Sequence, residues 1–91
     1  KARFNHNSTK AYLKDKYDSK FIVADQNGLW RSNLEIINFL NSTSDSEVII
    51  IDTFNNPVKV IRQELLDKLN TVYKITMEEW YIEWVELEKN R

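Results

Sequence analysis

The chain predicts a single small α+β domain: a mostly antiparallel sheet of three short strands, covered by one short helix and one long C-terminal helix. Three observations predict it. Its 91 residues are enough for one hydrophobic core and too few for two. Four successive β-branched residues, Val48, Ile49, Ile50 and Ile51, favour a pleated, buried strand. Apolar side chains then recur at helical spacing from Leu65 to Leu87.

Residues 1–19 read as a basic N-terminal arm, polar apart from Phe4, Tyr12, Leu13 and Tyr17. Ser8 or Thr9 is placed to cap a short helix reaching Tyr17, and a helix that short is marginal alone. The α+β domain occupies residues 20–91. Residues 21–24 form a first strand, ended by Gln26, Asn27 and Gly28, where an Asn-Gly pair suits a tight turn. Ser32 and Glu35 have the spacing of a capping box. Ile36, Ile37, Phe39 and Leu40 follow, so residues 33–41 form the short helix. Residues 47–54 and 58–61 form a hairpin broken at Asn55, Asn56 and Pro57, with Pro57 at an edge. The unbroken apolar run of its first strand predicts cover on both faces. Residues 62–88 form the long helix, on a stripe of Leu65, Leu69, Val72, Met77, Trp80, Trp84 and Leu87. Both helices are expected on the same face of the sheet.

Composition excludes more than it assigns. There is no cysteine, so disulfides, thiol catalysis and cysteine-ligated metals are ruled out. A lone histidine, His6, lacks the second ligand or orienting carboxylate that base catalysis needs. One glycine and one proline leave no phosphate-binding loop and no proline-rich ligand. No apolar run approaches the ~20 residues of a membrane span, so no membrane partner is expected. Asp52, at the end of an apolar strand, has the form of a Mg²⁺ ligand in nucleotidases, but the phosphate loop that belongs with it is missing. A metal-nuclease reading of Asp52 and Lys59 needs a second carboxylate where Pro57 stands. Asp52 is therefore expected to stop the strand or open the turn. Glu79, Glu83 and Glu86 share a helix face, which reads as a solvated acidic surface. No enzyme activity, cofactor or metal is expected.

Charge is distributed unevenly. Lys1, Arg3, Lys10, Lys14, Lys16 and Lys20 face only Asp15 and Asp18 in the first twenty residues, while Glu78, Glu79, Glu83, Glu86 and Glu88 dominate the last fifteen. Asn, Lys and Ile together supply nearly a third of the chain, the bias of an AT-rich genome. A phage or mobile-element protein, in the cytoplasm or on a virion, is the expected setting. The start at Lys1 rather than Met suggests a fragment or processed form.

One geometric argument bears on function. A helix of about 27 residues spans roughly 40 Å. A compact domain of this length has a radius of gyration near 12 Å, the equivalent of a sphere roughly 31 Å across. The far end of the helix therefore overhangs with its aromatics. Either the arm folds back over it, lysines to glutamates, or another chain covers it, or residues beyond this sequence do. The expected function is non-enzymatic protein binding by a small accessory or structural subunit. Trp80, Tyr81, Trp84 and Leu87 would dock another protein or a copy of this chain. The alternative is a nucleic-acid-binding accessory protein whose arm uses Lys10, Tyr12, Lys14 and Lys16, cations interleaved with an aromatic. An acidic helix imitating a phosphate backbone is a weaker third reading, because five glutamates are few for a mimic.

Overall fold

The computed structural model describes residues 6–89, with side chains from Thr9 onward. The α+β class holds, with four strands in place of three and two separate two-stranded antiparallel sheets in place of one. Helix α1 (His6–Asp18) runs through a 3-10 turn (Ser19–Phe21) into β1 (Ile22–Asp25) and β2 (Gly28–Arg31). Helix α2 (Leu34–Ser42), the hairpin β3 (Glu47–Ile51) and β4 (Pro57–Ile61), and the long helix α3 (Arg62–Lys89) follow.

The strand absent from the sequence reading is β2. Gln26 and Asn27, both at positive φ, make a two-residue turn that pairs Asp25 with Gly28 and Val23 with Trp30. Gly28 is not at positive φ, so its reason is space: a Cβ there would lie 2.4 Å from Cζ2 of the Trp30 indole. That indole is 1% exposed and donates its Nε1 proton to the Asp25 carbonyl at 2.7 Å. The cap of α2 also differs from expectation. Asn33, not Ser32, accepts from the Ile36 amide at 3.0 Å. Ser32 is instead buried, its amide bonded to the Phe21 carbonyl at 2.8 Å.

The second hairpin is shorter than its apolar run suggests because Asp52 ends it. Asp52 Oδ1 accepts from the Phe54 and Asn56 amides at 2.9 and 3.0 Å, closing the turn in which Asn55 takes a positive φ. Oδ2 accepts from the Leu29 amide at 3.2 Å, and the Thr53 amide donates to the Leu29 carbonyl at 2.9 Å. One carboxylate thus closes one hairpin and ties it to the other. Backbone bonds from Asp52 to Asn56 and from Arg62 to Ser46 put the ladder at even-numbered positions of β3, so Pro57, opposite Ile51, stands where no N–H is needed. Cover on both faces of β3 is not found. Val48, Ile50, Val58 and Val60 turn inward, and Ile49, Ile51 and Ile61 are exposed.

Two clusters hold the fold. The larger joins Val23, Trp30, Ile37, Leu40 and Val60 to Leu65, Leu66 and Leu69 of α3. The smaller joins Leu13, Tyr17 and Phe21 to Leu87 near the other end of α3, and Tyr73 packs against both. At about 1.5 Å per residue the 28 residues of α3 advance roughly 42 Å. The molecule is correspondingly elongated, 57 × 22 × 17 Å.

Leu69→Ala, at a position 0% exposed, is expected to cost about 2–5 kcal/mol in urea unfolding, because the packed clusters around it cannot close the void. Asp52→Ala should lower the thermal midpoint by several degrees, since three backbone amides lose their acceptor. Those amides hold the Asp52 carboxyl below its ordinary pKa, Asn56 first, against opposition from burial. Its contribution is therefore complete above the ordinary carboxylate value near 4 and disappears as pH falls through the folded one. The wild-type and Asp52→Ala midpoints should accordingly converge in acid.

Candidate docking surface on the C-terminal helix

The segment read as an arm is helix from His6, and it packs antiparallel along the far half of α3. The His6 side chain lies outside the described residues. Leu13, Tyr17 and Phe21 recur every four residues and so present one edge to α3. Tyr17 stacks on Trp80 with ring centres 6.2 Å apart and planes within 7°, and Phe21 meets Trp80 edge-on at 6.3 Å. The Thr76 hydroxyl approaches the Lys20 carbonyl at 3.5 Å.

The charges of the two helices then meet in register. Lys16 Nζ donates to Glu83 Oε1 at 2.6 Å, and the Tyr17 hydroxyl donates to the same oxygen. Lys20 lies 4.0 Å from Glu79 and 4.8 Å from the centre of the Tyr17 ring. The Lys16 and Tyr17 hydrogen bonds hold the Glu83 carboxyl below its ordinary pKa. The Glu83 carboxylate in turn raises both Lys16 and Tyr17.

Of the four residues expected to dock a partner, two therefore face α1. Leu87 is buried against Leu13, Tyr17 and Phe21, and Trp80 is half-buried beneath Tyr17 and Phe21. Tyr81 and Trp84 lie on the other flank, stacked on each other with centres 6.3 Å apart. They are joined by Met77, expected on the same apolar stripe as Trp84, and by Ile82, which the sequence reading left unassigned. Met77, Tyr81 and Trp84 follow i, i+4, i+7 spacing, and Ile82 adjoins Tyr81 across a shared groove. Tyr81 is 63% and Ile82 62% exposed. Shallow grooves run between Met77, Glu78, Tyr81 and Ile82, and between Met77, Trp80, Tyr81 and Trp84. Trp80 thus stacks on Tyr17 of α1 and also lines the outer groove. The missed signal was Thr76 and Glu83. Thr76 is buried and Glu83 bonds Lys16 and Tyr17, so the side of α3 that meets α1 runs through both and leaves Met77 and Trp84 beside it.

The four residues of the nucleic-acid alternative are not brought together as one cationic surface. Lys16 is held by Glu83, and Lys14 lies 3.8 Å from Asp18. Lys10 and Tyr12 stay exposed. Asp52 is committed to three backbone amides, and among the described residues no three acidic or histidine side chains converge on a metal-sized site. No helix among those residues is long and apolar enough to cross a membrane. No protein family, curated protein or solved structure matches the chain.

Glu83→Gln is expected to loosen α1 selectively, so that hydrogen exchange quickens in residues 9–18 while β1, β2 and α2 keep their protection. The linkage has two limbs. The depressed Glu83 carboxyl contributes above its unfolded value near 4.3, and this is lost as pH falls through the folded one. The raised Lys16 and Tyr17 contribute below their unfolded values near 10, and this is lost as pH rises through the folded ones. Exchange in α1 should therefore be slowest across neutral pH, after correction for its intrinsic pH dependence, and Glu83→Gln should flatten the profile.

Proposed function

We propose that this chain is a non-enzymatic protein-interaction module, a small accessory or structural subunit that docks a partner on the outward face of α3. The observation that carries the reading is the apolar stripe of Met77, Tyr81, Ile82 and Trp84, which no other described element covers. It persists even though α1 already covers the opposite flank of the same helix. Tyr81 and Ile82 are largely in water, Met77 and Trp84 a little over a third so, and exposed apolar patches of this kind mark interaction sites. Tyr and Trp are also the residues that most often anchor binding.

Charge defines the partner. Glu78 lines the stripe, and Glu86, one turn beyond Ile82, pairs among the described residues with its neighbour Lys89 at 3.8 Å. The complementary surface is an amphipathic segment with an apolar ridge flanked by lysine or arginine, laid into the groove beside Tyr81. The AT-rich composition supports a phage or mobile-element source for such a subunit.

A photo-crosslinker at Ile82 tests this in cells of the natural host. The expected product joins Ile82 to one apolar, Lys/Arg-flanked segment, and Tyr81→Ala with Trp84→Ala abolishes it while leaving the circular dichroism unchanged. Crosslinking to an acidic segment, or crosslinking indifferent to those two substitutions, would sink the reading. Trp80→Ala serves as the contrast, because it should loosen α1 as well.

A further inference from the structure

The hairpin presents a second apolar surface, remote from the α3 stripe in sequence and built on different elements. Its outer face carries Glu47, Ile49 and Ile51 from β3 and Pro57, Lys59 and Ile61 from β4, with Phe54 at the turn. Ile49 and Ile51 are each 65% exposed and Phe54 69%. The inner face, Val48, Ile50, Val58 and Val60, packs on the larger cluster, so this hairpin has one side against the core and a second, largely apolar side in water.

Two features say what covers it. The first is edge chemistry on β4. Pro57 offers no N–H, and the Gln26 side chain takes up both backbone groups of Ile61, accepting from its amide at 2.6 Å and donating to its carbonyl at 3.2 Å. That edge is blocked against strand addition. Pairing along β3 would leave Ile49, Ile51 and Ile61 in water, so the face is the surface that gains by being covered.

The second is charge. The face holds one acid and one base, Glu47 and Lys59, and neither makes an ion pair with another described residue. Glu47 stands opposite Ile61 and Lys59 opposite Ile49, so the acid and the base are diagonal neighbours. A two-fold axis lying in the face along the Ile49–Ile61 diagonal exchanges them. Each Glu47 then lies over Lys59 of the second copy, and Ile49 and Ile61 each meet their own counterparts. The strands of the two hairpins cross steeply, as in orthogonal sheet packing. A patch that a two-fold maps onto its own complement is what an isologous interface requires.

We propose that the outer face of the β3–β4 hairpin is a homodimer interface, packed on the same face of a second copy with each Glu47 paired to Lys59 of the other. The dimer carries two α3 stripes, so a partner with two matching segments is held by avidity as well as affinity.

Light scattering on the full chain, from about 1 to 100 µM, tests it by charge reversal. The wild type should weigh as a dimer. Lys59→Glu or Glu47→Lys alone sets like charges together twice, and each should raise the dissociation constant about tenfold or more. The double variant Glu47→Lys/Lys59→Glu should return it to within about threefold of wild type. All these side chains are exposed, so circular dichroism should not change. A monomer at every concentration overturns the proposal, and so does a dimer indifferent to the single reversals or not restored by the double one. Tyr81→Ala/Trp84→Ala should leave the mass unchanged. If it dissociates the dimer while the reversals do nothing, α3 is the self-contact, and both this interface and the foreign partner of α3 are wrong.

Discussion

A helix of 28 residues advancing roughly 42 Å through a molecule only 22 Å and 17 Å across its short axes cannot be clothed by one core. The rest of the architecture answers that constraint. The first turns of α3 are covered by the two hairpins and α2, and the last turns by the other end of the chain. Tyr73 is where the two arrangements meet. Each cluster is small, and each uses the helix as one wall, so the register of apolar residues along α3 decides which elements it can hold. Where neither cluster reaches, the apolar side chains stay in water.

The hairpin end solves a different problem, that of satisfying backbone polar groups with strands too short to do so by pairing alone. Two two-stranded sheets leave four edges. Asp52 and Gln26 act as substitutes for missing strands: the carboxylate serves amides of β2 and of its own turn, and the amide serves Ile61 on β4. Their side chains bring the two sheets into fixed relation without a shared ladder. This is also why Asp52 is buried yet chemically spoken for. A carboxylate with three backbone donors is a structural acceptor with little left to offer a metal.

How much of this was legible in the sequence follows from what each residue type announces. The long helix, the short helix and the second hairpin were readable because apolar periodicity and β-branched runs are local signals. Strand β2 was not, since Gly28, Leu29, Trp30 and Arg31 show no alternation and depend on a turn held by Gln26. Cover on both faces of β3 was inferred from hydrophobicity alone, and hydrophobicity does not distinguish a core face from an uncovered one. Of the four aromatic and apolar residues expected to dock, Tyr81 and Trp84 lie away from α1 while Trp80 and Leu87 pack against it, because the side of α3 that meets α1 runs through Thr76 and Glu83. A polar residue on a buried line is invisible until its partner, here the Lys20 carbonyl or Lys16 with Tyr17, is in place.

The smaller cluster closes the chain on itself: Lys16 bonds to a residue 67 positions later, and Leu13 packs on Leu87. A chain made from its N-terminus therefore produces α1 first and its support last. The hairpins, α2 and the opening turns of α3 have everything they need once Tyr73 has been added. Through that interval α1 has no apolar surface to lie against, and a helix of 13 residues is marginal by itself. Of the three helices α1, α2 and α3, the earliest made is thus the last to be secured, and its docking reports that the far end of α3 has arrived.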